Sequence, residues 1–168
     1  ILTRDRTLGP QGRSRAMAGI AATDPAPPRL ASPGRVLYEP NPAVLRAGLV
    51  RTLGGRLGAA QLDPDIAYLT ADDHVVTPFA RAWAVERDGP FNLKQLNRWL
   101  REIGAGRVVV KKRGSPVDPD AFRKRLKTQR GGPERTVFLT KHDGRPWMVL
   151  CGSELRDHRA SPVKEIDA

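Results

Sequence analysis

The sequence predicts an α/β (α+β) fold: an N-terminal helix followed by a β-α-β-α-β-β sandwich, with a mixed four-stranded sheet and helices mainly on one face. Three observations lead there. Alternating or β-branched apolar runs are separated by stretches of helical periodicity. Each expected helix is preceded by a residue able to cap it (Asn41, Asn92, Asp118), twice with proline at the first helical position. An Asp143–Gly144 pair separates the last two apolar runs, the strongest short signal of a type I′ hairpin.

Taken in order, residues 1–35 lack sustained periodicity, and TDPAPPRLASPGR has linker composition, so this stretch is expected to be a largely flexible connector. The chain does not begin with Met, which leads to the expectation that it is a piece of a longer polypeptide. From Asn41 a helix is expected over 42–57, with Leu45, Leu49, Leu53 and Leu57 recurring every four residues and Gly54–Gly55 fraying or ending it. IAYLTA (66–71) reads as extended. FARAWAVERD (79–88) alternates as a strand, with Phe79, Arg81, Trp83 and Val85 on one side. Asn92 then caps a helix whose apolar face is Leu93, Leu96, Trp99, Leu100 and Ile103, and Gly104 stops it. Residues 107–113 form a β-branched strand, Asp118 caps a helix with Phe122 and Leu126 inward, and TVFLT (136–140) and WMVLC (147–151) make the closing hairpin. Strand–helix–strand order implies neighbouring parallel strands joined by crossovers. Residues 156–168 read as a polar C-terminal tail.

Composition narrows the function. One domain fits 168 residues, and no run approaches the roughly 20 apolar residues that cross a bilayer. The start has no secretory apolar core. Cys151 is the single cysteine, so no intrachain disulfide forms and a reducing, cytoplasmic setting is expected; its place in WMVLC marks it as a buried, inert thiol. No phosphate-binding loop or serine elbow occurs, and the glycines of GAG (104–106) end a helix rather than open one. Asp72–Asp73–His74 and Asp63–Pro64–Asp65 have carboxylates but read as solvated turns. No catalytic, cofactor-binding or metal residue is therefore assigned, and the chain alone is not expected to be an enzyme.

Charge is distributed unevenly. Of the net charge of +11, residues 107–130 (RVVVKKRGSPVDPDAFRKRLKTQR) carry nine basic and two acidic side chains, whereas 36–106 and 131–168 are balanced. Alternation puts Lys111 and Arg113 on one strand face and Lys112 on the other with Val108 and Val110, where its stem must reach out at the strand end. In the following helix, Arg123, Lys124 and Lys127 share the exposed side at i,i+3 and i,i+4 spacings, where like charges repel. Arg98 and Arg101 on the preceding helix extend the patch. Such a cluster fits closely spaced phosphates, so RNA is the expected partner, held by its backbone because paired stacking aromatics are lacking. A membrane surface fits less well, since the helix has no bulky apolar face to insert. The alternative is a structural role, the patch docking on another protein domain without touching RNA.

The blocks YEPNPAVLRAGLV (38–50), QLDPDIAYLT (61–70), TPFARAWAV (77–85), PFNLKQLNRWLRE (90–102) and VVVKKRGSPVDPDAFRKRL (108–126) resemble the THUMP-like domain at the C-terminus of bacterial class I S-adenosylmethionine-dependent methyltransferases. The resemblance runs over roughly 36–152 and implies a THUMP-like domain at 36–155. It implies that 1–35 includes the trailing edge of an upstream catalytic domain, which would hold S-adenosylmethionine and be the partner in cis. It also implies presentation of substrate RNA (tRNA or rRNA), with Lys111, Lys112, Arg113 and Gly114 of the KKRG block as candidate contacts.

Overall fold

The structure, a computed structural model, describes residues 28–156. The N-terminal part of the expected connector (1–27) and nearly all of the expected tail (157–168) lie outside the described residues. Eleven elements follow one another: β1 (Val36–Pro40), α1 (Pro42–Arg46), α2 (Val50–Leu57), β2 (Ala60–Asp63), β3 (Ile66–Ala71), β4 (Ala80–Pro90), α3 (Leu93–Ile103), β5 (Val108–Lys112), α4 (Pro119–Arg123), β6 (Arg135–His142) and β7 (Arg145–Leu155). The strands form one mixed sheet of seven, ordered β2-β3-β1-β4-β7-β6-β5, rather than the expected four. Every pairing is antiparallel except β5–β6. Of the two expected crossovers, β5-α4-β6 joins neighbours, whereas β4-α3-β5 spans two intervening strands.

Three differences have physical causes. β1 is buried along nearly its whole length between β3 and β4, so its sequence, VLYEP, shows no polar alternation, and the proline leads directly into a helix cap. β2 is four residues long, too short to establish a period, and its QLD resembles the start of a turn. The expected single helix 42–57 is broken in two, because Gly48 takes a positive φ of 67° between α1 and α2. Gly54 does not end α2. It lies inside it, where a Cβ would sit 3.1 Å from the Ala59 carbonyl and 3.4 Å from Leu69, so the missing side chain lets α2 approach β3.

Caps and turns form as their sequences dictate. The side chains of Asn41, Asn92 and Asp118 accept from the backbone N–H groups of Val44, Gln95 and Ala121. Asp143 and Gly144 have φ of 49° and 69°, the double positive φ of a type I′ turn.

Register assigns the two faces. Tyr38 lies opposite Ala82, and Leu139 opposite Met148; this face carries all four helices over two apolar clusters. The other face holds Leu37, Leu62, Ile66, Tyr68, Trp83, Phe138, Val149 and Cys151, all at most 3% exposed with no helix of the described residues above them. The sheet buries them by coiling on itself, a consequence of strand twist. Tyr68 of β3 meets Phe138 of β6 edge-on at 5.3 Å, and the β6–β7 turn is tied to β2 where Gly144 N–H donates to Asp63 Oδ2 at 2.8 Å. The end of the expected connector takes part as well: Arg29–Ala31 exchanges backbone hydrogen bonds with Gln61 along the outer edge of β2.

Candidate nucleic-acid interface

The structure divides the basic stretch between the two faces of the sheet. Val108 and Val110 of β5 pack toward the helices, whereas Lys111 and Arg113 point into the coiled interior. Lys111, opposite Phe138 in register, sets its ammonium 2.5 Å from Glu39 Oε2, with 24% and 19% of the two side chains exposed, and 5.1 Å from the Trp83 ring centre. Arg113 lies 5.2 Å from the Tyr68 ring centre. Arg81 shares this environment, 4.9 Å from the Trp83 ring and paired bidentately with Glu154. That hydrogen bond holds the Glu154 carboxyl below its ordinary range, while burial, reinforced by the Glu39 charge, drives the Tyr68 phenol upward. Burial likewise raises the Cys151 thiol, keeping it protonated and unreactive. Lys111 and Arg113 are thus committed to partners inside the molecule.

The remaining cations lie on the helix-bearing side. Lys112 is exposed at the end of β5, on the face of Val108 and Val110. α4 ends at Arg123, so Lys124 and Lys127 do not continue a helix as expected; they sit in a turn segment captured by other contacts. The captor is Asn97, a residue that no local sequence pattern singles out. Only 9% exposed on α3, it donates Nδ2–H to the Arg125 carbonyl at 3.1 Å and accepts from Lys127 N–H at 2.8 Å through Oδ1. Farther along, Gln129 N–H donates to the Ala105 carbonyl, and Gly132 crosses Gly106 so closely that a Cβ on Gly106 would lie 2.2 Å from the Gly132 oxygen. The segment 125–132 is therefore strapped to α3 and its C-terminal loop.

At about 100° per residue, Arg98 and Arg101 lie on the solvent side of α3 within about 100° of Asn97, the flank on which the strap runs. Two elements thus place Arg98, Arg101, Lys124 and Lys127 on one exposed surface, and none of them, nor Lys112, has a carboxylate partner among the described residues. Arg123 is half-exposed and turns to Asp120 at 3.0 Å. Beside it a surface cavity of about 420 Å³ opens between the start of β5 and the strap, lined by Arg107, Val109, Arg123 and Leu126 among others.

Asn97→Ala removes two part-buried hydrogen bonds and leaves the strap's carbonyl and N–H without their side-chain partner. The expected outcome is a loss of about 2 kcal/mol in chemical denaturation, with faster amide exchange at Lys127.

Among the described residues, no group of three or more His, Cys, Asp and Glu side chains is placed to hold a metal, and no helix is long and apolar enough to cross a membrane. Asp73 faces Arg35 at 4.0 Å, and its backbone carbonyl accepts from the Tyr38 hydroxyl. No described strand runs through a glycine-rich loop into a helix, and no chemical step is assigned to these residues.

These features define a mixed α/β module whose unneutralised positive charge is concentrated on its helical face. Residues 80–153, from β4 into β7, match the family described as THUMP domain-like, and the chain carries a THUMP-like domain. A protein named "uncharacterized S-adenosylmethionine-dependent methyltransferase" in two strains of Mycobacterium tuberculosis is 39% identical over 108 residues, 64% of this chain and 29% of that protein. The crystal structure of a "putative methyltransferase" from Porphyromonas gingivalis superimposes with a TM-score of 0.61 at 27% identity, covering 76% of this chain and 31% of that one. The match spans less than a third of the length of each of these relatives.

Proposed function

We propose that this chain is the RNA-binding accessory region of an S-adenosylmethionine-dependent RNA methyltransferase, itself non-catalytic, with tRNA or rRNA as substrate and the catalytic domain as its partner in cis. The observation that carries the reading is that Lys124, Lys127, Arg98 and Arg101 stand exposed and without a carboxylate partner where the strap meets α3, with Lys112 exposed at the end of β5 on the same side of the sheet. Exposed like charges repel one another, and a polyanion relieves that repulsion at several side chains together. Lys111 and Arg113 do not belong to this surface; their part is to hold the coiled interior together. Arg123, within reach of Asp120, contributes at the margin. The names of the relatives support the methyltransferase part of the reading, and the family match supports its accessory role.

Salt titration tests it. With about five phosphates engaged, the logarithm of the association constant for a tRNA-sized RNA should fall with log salt at a slope of about −3.5 for single strands to −4.5 for a duplex. Fluorescence anisotropy on the full chain measures it, and a slope near zero would remove phosphate contact from the account.

A further inference from the structure

The charged surface holds one further feature. Phe91, between β4 and α3, is the one exposed residue among the described phenylalanines, tyrosines and tryptophans; the others are buried or half-buried. With 37% of its surface open, it stands at the seam of the two basic elements. One side of its ring leans on Phe122 of α4, at 5.8 Å between centres and tilted by 40°. Its N–H donates to the Pro146 carbonyl at 3.0 Å, and the next residue, Asn92, caps α3. Beside that cap a surface cavity of about 240 Å³ is lined by Asn92, Lys94, Gln95, Arg98 and Arg101.

We infer that Phe91 is a stacking platform for one unpaired nucleobase, with the adjoining phosphates held by Lys94, Arg98 and Arg101. This rests on the RNA-binding reading and narrows it: the RNA presents at least one base outside a duplex. Every nucleobase has a π-face, so the ring accepts any of them without reading sequence. A ring already fixed by Phe122 and by its own backbone bond loses little freedom on stacking, which makes it a preorganised contact. Cations alone would hold a blunt duplex equally well. The aromatic adds a preference that charge cannot supply.

Two RNA hairpins serve as probes for the full chain, one blunt and one carrying a single-stranded extension of about four nucleotides. Phe91→Leu keeps an apolar side chain against Phe122 and removes the π-face; Phe91→Trp keeps both. The expected result is that Phe91→Leu weakens binding of the extended hairpin on the order of tenfold, leaves the blunt hairpin within about twofold, and that Phe91→Trp restores the difference. Equal affinities for the extended hairpin in wild type and Phe91→Leu, with both hairpins still bound, would overturn the stacking role and leave RNA binding standing. If wild type binds neither hairpin, both readings fall. Melting temperatures of the two variants separate a lost contact from a loosened fold.

Discussion

Reversing two charges together, Lys124→Glu with Lys127→Glu, should weaken RNA binding by about 100-fold at roughly 0.1 M salt while the melting temperature moves by no more than about 2 °C. Each lysine that leaves a phosphate costs close to one counterion, or nearly tenfold at that ionic strength, and two carboxylates facing the phosphodiester chain add repulsion. The salt slope should fall by about two in the same titration. Stability should barely change, because both side chains are exposed and the contact that strapped Lys127 to Asn97 is made by its backbone; surface substitutions of this kind stay within about 0.5 kcal/mol. Unchanged RNA affinity would defeat the proposed function. If that result came with weakened association to a separately produced catalytic domain, the patch would instead be a docking surface between domains.

What could be read from the sequence was whatever is local. The caps at Asn41, Asn92 and Asp118, the stop at Gly104 and the Asp143–Gly144 turn each depend on a few adjacent residues, and they form as their chemistry requires. β1 and β2 escaped because burial on both sides or extreme brevity erases a two-residue period. Gly48 could have signalled the break in 42–57, but the leucine spacing of four carries across it unaltered. At the candidate interface, alternation correctly separated Lys111 and Arg113 from Lys112. Only the coiling of the sheet determines that the first two meet Glu39 and Tyr68 rather than solvent. Asn97 was illegible for a related reason. Its partners are backbone groups 28 and 30 residues away, and nothing beside it in the sequence records them.

Lys111→Glu puts that division to its severest test, because it should damage the fold and spare the RNA surface. The substitution would set a second carboxylate against Glu39, beside Trp83 and Tyr68, where both partners of the present pair are about three-quarters or more shielded from water. Breaking a buried pair costs about 3–5 kcal/mol, and the residual exposure here places the expected loss near the lower end, about 3 kcal/mol. For a chain of this size that lowers the melting temperature by about 6–12 °C. Replacing the pair as a whole, Lys111→Met with Glu39→Leu, should recover stability to within about 1 kcal/mol of wild type, since the apolar walls of Trp83, Tyr68 and Phe138 can pack against hydrocarbon. The folded fraction of Lys111→Glu, measured well below its melting temperature, should bind RNA within about twofold of wild type. A tenfold loss there would return Lys111 to the RNA-contacting surface and undo the assignment of its charge to the interior. The same measurement on Lys112→Glu, one residue along the strand but on the helical side, should give the opposite pattern: little change in melting temperature and a clear loss of affinity. Adjacent lysines, differing only in which way the pleat turns them, would then separate stability from binding.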